Sequence, residues 1–486
     1  MAQRVHFVDV PAPDVIWLAA GHGAGGDAPR VVPQARAGAS VQAGAVVAGL
    51  EHTSTLAVTP LAGEVGQARR VTDTRGRRRE AVAVLVADDA ETEKPEHDRP
   101  AQLGAVRQED LPAWIDRLER AGVRADRQNS PDLIGQLLSA IRRPIDAVIC
   151  HTLEADPPLP VQVQWALRHP MELRDGLRLL ARLTGARRTT LAVAEGDNRR
   201  LYRHLRRSLR SDQRPDAPPP SISLADIGEA ESVILPFEPS PASSPGSVPT
   251  EAEVPMRSTG RPAPLPPQPL GLRIVPVRNA YPQADPTLLL WALLSRRLSP
   301  GRLPTDSGVL VLDAVAAVAV GSVARGARVV RRDPIAVRDH RRDVSLLAEV
   351  WRGSTASDVL RSLGVLAAPD EAISLRAGDF LREKRLPPDC VLDGGELLLH
   401  VSEPEGLPVV PDPCIRCGWC LDICPTHVHP AGVLEAAQTR DAALAEQFGL
   451  EACIECGLCS YVCPSRLPLM QAARQLRRKD GATAGA

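Results

Sequence analysis

The 486-residue sequence has few aromatic side chains, little lysine and no apolar run that could cross a membrane. Aromatic residues make up 3% of the chain, so its core must be built mainly from Ala, Val and Leu. Few rings are left to stack on nucleic-acid bases, and the formal net charge of −1 argues against a basic binding surface. We therefore expect no nucleic-acid partner.

The most apolar run, residues 308–323, is shorter than a bilayer span and is interrupted by Asp313. Any membrane association should therefore be peripheral. The first residues include an acidic side chain and no apolar stretch, which predicts no secretory segment and a reducing compartment. In that setting, Cys150 and Cys390 are interpreted as ordinary buried thiols.

The other eight cysteines lie in two copies of the pattern CxxCxxCxxxCP, CIRCGWCLDICP and CIECGLCSYVCP. Three thiolates at this spacing can hold one face of an iron–sulfur cubane, and the fourth, followed by proline, typically binds the other cluster. The sequence therefore predicts two [4Fe-4S] clusters with crossed fourth ligands. The predicted ligands are Cys414, Cys417, Cys420 and Cys463 for one cluster, and Cys453, Cys456, Cys459 and Cys424 for the other.

Structural zinc and disulfides are the alternatives for these cysteines. Zinc sites use pairs of ligands around one tetrahedral ion, whereas a triplet plus a single cysteine, repeated twice, fits two cubanes. Disulfides conflict with the expected reducing compartment. The small residues Gly418 and Gly457, between the ligands, allow backbone N–H groups to approach the sulfides.

The rest of the chain predicts an α/β multidomain protein, because strand and helix signals alternate along it. A formal GxGxxG at 21–26 has no helix after it, so it is interpreted as a turn. The predicted parts are a barrel-sandwich hybrid (lipoyl-like) domain at 1–90 without a carrier lysine, an α/β domain at 105–211 and 271–340, a Pro-rich linker at 212–270, a β-grasp (SLBB-like) module at 341–405 and an α-helical dicluster ferredoxin-type domain at 406–478.

This order of parts resembles the RnfC family, whose members are subunits of the Rnf electron-transport complex, an ion-translocating ferredoxin oxidoreductase. The residues that carry the resemblance are "DPTLLLWAL", "DSGVLVLDAVAAVAVGSVARG", "RGSTASDVL" and "CIECGLCSYVCPS". The resemblance implies a subunit that relays electrons through two clusters in a membrane-associated complex. Its partners would be other subunits and a ferredoxin or an NADH-side electron donor, at the cytoplasmic face of the cell membrane.

Three segments depart from the family pattern where flavin and NADH bind. The family's glycine-rich GxGGAGFP segment is replaced by residues 120–133, and its GGPMMG segment by residues 375–381. Its NGAECEP segment appears as "ICHTLEADPP", which keeps only Glu154 as a candidate cofactor-binding residue. We therefore expect this chain alone neither to bind FMN tightly nor to oxidise NADH, and we predict no catalytic residue.

Two other functions remain open at this point. A flavin-dependent NADH dehydrogenase or a cobalamin-reductase-like enzyme shares this architecture but needs the missing glycine cradle. A scaffold would use its clusters only to brace the C-terminal domain. The tail "LPLMQAARQLRRKD" also has two interpretations. It predicts an amphipathic helix with Leu469, Ala472 and Leu476 on one side and Arg474, Arg477 and Arg478 beside or opposite them, which either docks on a partner or packs on the cluster domain.

Overall fold

A computed structural model describes most of the chain, and every structural statement below concerns the part it describes. The described residues are 7–19, 31–50, 56–92, 97–123, 126–127, 129–156, 158–195, 203, 233–236, 271–298, 302–368, 371–379, 381–404, 406 and 410–483, with side chains to 477. The GxGxxG segment at 21–26 and most of the predicted linker lie outside these residues, as does the side chain of Arg478.

The N-terminal region consists of short strands in two small sheets. The strands are β1 (Phe7–Asp9), β2 (Val15–Ala19), β3 (Val31–Pro33), β4 (Ser40–Val41), β5 (Val46–Leu50), β6 (Leu56–Val58), β7 (Gly63–Thr72) and β8 (Arg78–Val86). Strands β2–β8–β7–β4 form one sheet and β3–β5–β6 the other. Ile16, Val47 and Val84 belong to one core that both sheets share. The expected short strands are confirmed, while the barrel-sandwich label remains a prediction.

The central region is a sheet covered by helices. Its strands are β9 (Ala147–His151), β10 (Arg188–Ala194), β11 (Val233–Pro236), β12 (Gly271–Val277) and β13 (Val309–Asp313). Its helices are α1 (Leu111–Arg120), α2 (Leu133–Ala140), α3 (Val161–Arg168), α4 (Pro170–Thr184), α5 (Pro286–Leu294) and α6 (Ala314–Ala324), with 3-10 turns at Leu103–Ala105, Gln108–Asp110 and Pro304–Ser307. The order is β11–β12–β10–β9–β13, parallel except for β11.

Helices cover both faces of this sheet. One core joins the sheet to helices α1, α2, α3, α4 and α6, and α5 packs on the opposite face through Leu289 and Leu290. Helices α4 and α6 come into close contact at two glycines. A Cβ at Gly176 would lie 2.1 Å from the Ala317 carbonyl oxygen, and one at Gly321 would lie 1.7 Å from that of Glu172. The mixed α/β class is therefore confirmed.

A mixed sheet follows, and its strand pairing crosses two of the predicted domain boundaries. Its remaining elements are β14 (Arg332–Asp339), β15 (Val344–Trp351), α7 (Ala356–Ser362), β16 (Ser374–Ala377), β17 (Lys384–Leu386) and β18 (Leu398–Ser402). The order is β1–β15–β14–β18–β16–β17. Strand β14 precedes the predicted boundary at 340 because it forms a hairpin with β15, and β1 from the N-terminal part adds in parallel to β15. Thr355 caps α7 as predicted, since its hydroxyl accepts from the Asp358 N–H at 3.2 Å.

The C-terminal region is helical. Its elements are α8 (Trp419–Asp422), α9 (Pro430–Thr439), α10 (Ala442–Gln447), a 3-10 turn at Leu450–Ala452, α11 (Leu458–Tyr461) and α12 (Leu469–Thr483). Val433 and Ala436 of α9 pack against Ala473 and Leu476 of α12. Among the described residues, no helix combines the length and the apolar character needed to cross a membrane.

Candidate iron–sulfur centres

The two cysteine repeats follow the same backbone path. At three pairs of equivalent positions the chain adopts positive φ angles, although only one pair is glycine. The pairs are Arg416 and Glu455 (57° and 53°), Gly418 and Gly457 (82° and 80°), and His427 and Arg466 (57° and 54°). A positive φ is uncommon outside glycine, so its recurrence in both repeats marks a shared loop geometry that turns the chain around each group of thiols.

The structure brings Cys424 of the first repeat to the three leading cysteines of the second. These four residues line one cavity together with apolar side chains such as Val433 and Met470. Burial raises the pKa of the Cys456 thiol to about 11 and that of Cys459 to about 12, and Cys424 contributes to both shifts through its charge. The thiols therefore hold their protons in the metal-free protein, and iron must displace those protons on binding. We call this the inner set.

The remaining cysteines form a second group nearer to solvent. Burial raises the pKa of Cys420, and the charges of Cys417 and Cys463 add to the shift, which places Cys463 of the second repeat beside the first. Cys414 and Cys417 are exposed. We call Cys414, Cys417, Cys420 and Cys463 the outer set. Among the described side chains, no three or more of His, Cys, Asp or Glu form a group that could hold a metal ion.

Backbone N–H groups point at sulfur in the inner set. The Val428 N–H lies 3.3 Å from the Cys424 sulfur, and the Glu455 N–H lies 3.4 Å from the Cys453 sulfur. Donors of this kind stabilise negative charge on sulfur and so favour a reduced cluster. A dry cavity, four thiols and backbone donors are a donor set that fits a cubane cluster.

Helix α12 packs on the cluster region. Its buried face contains Leu469, Ala472 and Leu476, as predicted from their spacing. Arg474 and Arg477 pair with Glu455 at 2.8 and 3.3 Å, so they hold the loop between Cys453 and Cys456. Of the two interpretations of the tail, the structure favours packing on the cluster domain.

The two repeats differ in their surroundings. In the first repeat, Ile415 is 67% exposed and Trp419 is 56% exposed, whereas their equivalents Ile454 and Leu458 are only partly exposed. Tyr461, in the second repeat, adds a ring that is 66% exposed. The outer set therefore lies at a surface with several apolar side chains, while the inner set faces the rest of the protein.

The carboxyl ends of the central parallel strands are occupied by the chain's own side chains. Arg127, from the segment that replaces the family's glycine cradle, donates from Nε and Nη2 to both Asp313 carboxylate oxygens at 2.6 and 2.7 Å. Its Nη1 donates to the Gly394 carbonyl at 2.7 Å. Asp313 also accepts from the Ala316 N–H and so caps α6. This edge is where open α/β sheets usually bind ligands.

Glu154 has a structural role in the fold. Its carboxylate is buried and accepts the backbone N–H groups of Gln162 and Val163 at 3.1 and 3.0 Å, at the start of α3. A carboxylate at a helix N-terminus satisfies free N–H groups and is favoured by the helix dipole. Its assignment to a flavin or NADH site stays a prediction. The isolated thiols Cys150 and Cys390 are buried, as expected.

Comparisons with known proteins match both halves of this arrangement. A family model described as a 4Fe-4S dicluster domain matches residues 413–467, and one described as a Nuo51 FMN-binding domain matches residues 135–322. The chain is 27% identical over 170 residues to the RnfC subunit of the Na(+)-translocating ferredoxin:NAD(+) oxidoreductase complex of Acetobacterium woodii. It is 29% identical over 215 residues to the corresponding subunit of the ion-translocating oxidoreductase complex of Edwardsiella ictaluri. This chain is an RnfC-like protein.

The matches cover limited lengths. They span 34% of the RnfC-like chain and 38% of the Acetobacterium protein, and 42% of the chain and 26% of the Edwardsiella protein. Two crystal structures of an NAD+-reducing [NiFe]-hydrogenase, air-oxidised and H2-reduced, align with TM-scores of 0.40 and 0.41 at 14% and 15% identity. They cover 77% and 79% of this chain and 55% and 64% of the other. The dicluster match supports iron–sulfur clusters as cofactors.

Several features of the site were missed from the sequence. The left-handed residues Arg416 and Glu455 gave no local signal, although aligning the two repeats would have placed them at equivalent positions. The Arg127–Asp313 pair joins residues 186 positions apart, and nothing in either segment indicates it. The FMN-binding match begins at residue 135, after the segment that contains Arg127.

Proposed function

We propose that this chain is an electron-transfer subunit of an Rnf-type ion-translocating oxidoreductase complex, attached to the cytoplasmic face of the membrane. The observation that carries the proposal is the pair of crossed thiol sets within the matched dicluster domain. We assign the outer set, Cys414, Cys417, Cys420 and Cys463, and the inner set, Cys453, Cys456, Cys459 and Cys424, as ligands of two [4Fe-4S] clusters. A bound [4Fe-4S] cluster accepts and donates a single electron.

The chain's own residues give the two cluster sites different tasks. The inner set lies against the α/β and mixed-sheet regions and is shielded from water. The outer set presents Cys414 and Cys417 at the surface. An exposed redox site exchanges electrons with a separate protein only when that protein docks beside it. The apolar side chains around the outer set, Ile415, Trp419 and Tyr461, supply such a docking surface.

The partners follow from the relatives. Those proteins are named as subunits of ion-translocating complexes, and one of the complexes is a ferredoxin:NAD(+) oxidoreductase. For this chain we propose other subunits of a membrane redox complex, together with a ferredoxin or an NADH-side donor. Attachment is peripheral and uses the outer face. A scaffold would have no use for a cluster exposed at an apolar surface, which favours electron transfer over that alternative.

The docking surface is tested with two double variants in the native host. Ile415→Ser with Trp419→Ser should remove most of the protein from the membrane fraction, because loss of a central Trp costs about 2 kcal/mol in typical interfaces. The matched control is Leu138→Ser with Ile141→Ser, two side chains of similar exposure on the α/β region. The control should stay membrane-bound, and both variants should keep their iron. A wild type found only in the soluble fraction, without co-purifying subunits, would contradict the proposal.

We also propose that the chain does not form a flavin site on its own. Arg127 and Asp313 fill the strand edge, and Glu154 is used to cap α3. Protein purified anaerobically and then acid-denatured should release much less than one equivalent of FMN. Glu154→Gln should leave NADH-dependent dye reduction at the background level of the wild type. Stoichiometric FMN, or dye reduction that is lost in this variant, would instead support the flavin-dependent NADH dehydrogenase alternative.

A further inference from the structure

The inner set touches residues from two other parts of the chain. The Tyr281 hydroxyl, which follows β12, donates to the Cys456 carbonyl oxygen at 2.5 Å. The Leu381 carbonyl oxygen lies so close to Gly457 that a Cβ there would be 2.6 Å away. Leu381 belongs to the segment that replaces the family's GGPMMG sequence. This segment and Tyr281 therefore form the wall between the inner set and the rest of the protein.

The next residue, Arg382, is a buried cation behind this wall. Its side chain is 4% exposed, and its Nε donates to the Tyr281 hydroxyl at 3.0 Å. Asp379 lies 3.4 Å and Asp285 lies 3.9 Å from the guanidinium. Tyr281 thus contacts both the guanidinium and the backbone of a predicted cluster ligand. Buried charges with this many partners hold a fixed geometry.

The sign of the local charge depends on which group is nearest to sulfur. Burial raises the pKa of the Cys456 thiol to about 11, and Arg382 is the cation that acts against this rise. The neighbouring thiols act in the opposite direction, while Asp379 and Asp285 are not among the main influences on Cys456. The charge of the Arg382 side chain is therefore felt at Cys456 more strongly than that of its two carboxylate partners.

Reduction adds one negative charge to a cluster, and a nearby buried cation stabilises that charge. Burial acts in the other direction, because a low-dielectric environment disfavours the more highly charged reduced state. The inner set has the greater burial, so a fixed cation has its largest effect there. The outer set, which is open to water, is screened from comparable effects.

We propose that Arg382 is a positioning residue that raises the reduction potential of the inner cluster, with Tyr281 holding the guanidinium in register with Cys456. The inference rests on the proposed clusters. It adds a direction: at equilibrium the transferred electron is held more strongly at the inner cluster than it would be without Arg382. The electron comes from the ferredoxin or NADH-side donor in the complex and from dithionite in the experiment below.

The test is an anaerobic dithionite titration of the full chain, with both clusters followed by electron paramagnetic resonance. Arg382→Gln should lower the reduction equilibrium constant of the inner cluster at least tenfold, which is about 59 mV for one electron. Arg382→Lys keeps the charge and should recover most of the shift. Tyr281→Phe should shift the same cluster in the same direction by less. The outer cluster is an internal control in every sample and should not move.

Two results would overturn the inference. One is an unchanged inner potential in Arg382→Gln with both clusters assembled, and the other is an equal drop in Arg382→Gln and Arg382→Lys. If Arg382→Gln fails to assemble, Asp379→Asn decides, because removing a carboxylate beside the guanidinium should raise the inner potential. An unchanged or lowered potential in that variant overturns the inference as well. Absence of clusters from the wild type would be a failure of the proposed function instead.

Discussion

Replacing Cys424 with serine should remove the cluster of the second repeat and spare the cluster beside Cys424 in the sequence. The reason is spatial, since Cys424 lines the cavity of Cys453, Cys456 and Cys459. Loss of one thiolate from four should leave that cluster unassembled, while the outer set keeps all its ligands. Iron in anaerobically reconstituted protein should fall from about eight to about four atoms per chain.

Two controls accompany this variant. Cys463→Ser should remove the outer cluster, giving the same iron content but a different electron paramagnetic resonance spectrum. Cys390→Ser should retain about eight irons, because Cys390 is a buried thiol of the mixed sheet far from both sets in the sequence. If Cys424→Ser instead lost the signal that disappears in Cys463→Ser, the clusters would be uncrossed and the ligand assignment would be wrong.

Replacing Arg127 with methionine should have the largest effect on stability among the charged residues discussed here. The Arg127 and Asp313 side chains are 7% and 2% exposed and form a two-pronged ion pair. Removing one partner of a buried pair leaves an uncompensated charge, which typically costs about 3–5 kcal/mol. The free energy of unfolding, measured by urea titration with circular dichroism, should fall by this amount. Arg120→Met, which breaks an exposed pair with Asp116, should produce no measurable change.

The same pair gives a pH dependence with a defined sign. Burial disfavours the charged form of Asp313, but Arg127 overcomes it and holds the carboxylate pKa below its usual value of 3.8. The pair therefore stabilises the fold above pH 3.8, and the contribution is lost as the pH falls through the lower folded pKa. The acid-induced decrease should be smaller in Arg127→Met. A parallel pH profile in wild type and variant would contradict the assignment.

Much of the architecture could be predicted from local patterns. Buried β-branched runs predicted β9 and β13, and a Thr three residues before an Asp predicted the cap of α7. One helical stretch became two, α3 and α4, because Pro170 starts a new helix. Strand β11, within the predicted linker, pairs with β12, which agrees with the local docking expected there.

Other features depend on contacts between distant segments. Strand β1 has three residues, too few to carry a pattern, and exists because β15 offers a free edge. Cysteine spacing predicted the ligand sets but not their different exposure, which depends on the residues that cover the second repeat. Tyr281 and Arg382 are 101 positions apart, so their contact with each other could not be read from either segment.

The central claim is that two crossed thiol sets hold two [4Fe-4S] clusters, and metal and sulfide analysis of the full chain tests it most directly. Protein reconstituted anaerobically should contain about eight irons and about eight acid-labile sulfides, and dithionite should reduce both clusters. Zinc at one or two equivalents with no iron or sulfide would contradict the account, since tetrahedral zinc sites need no sulfide.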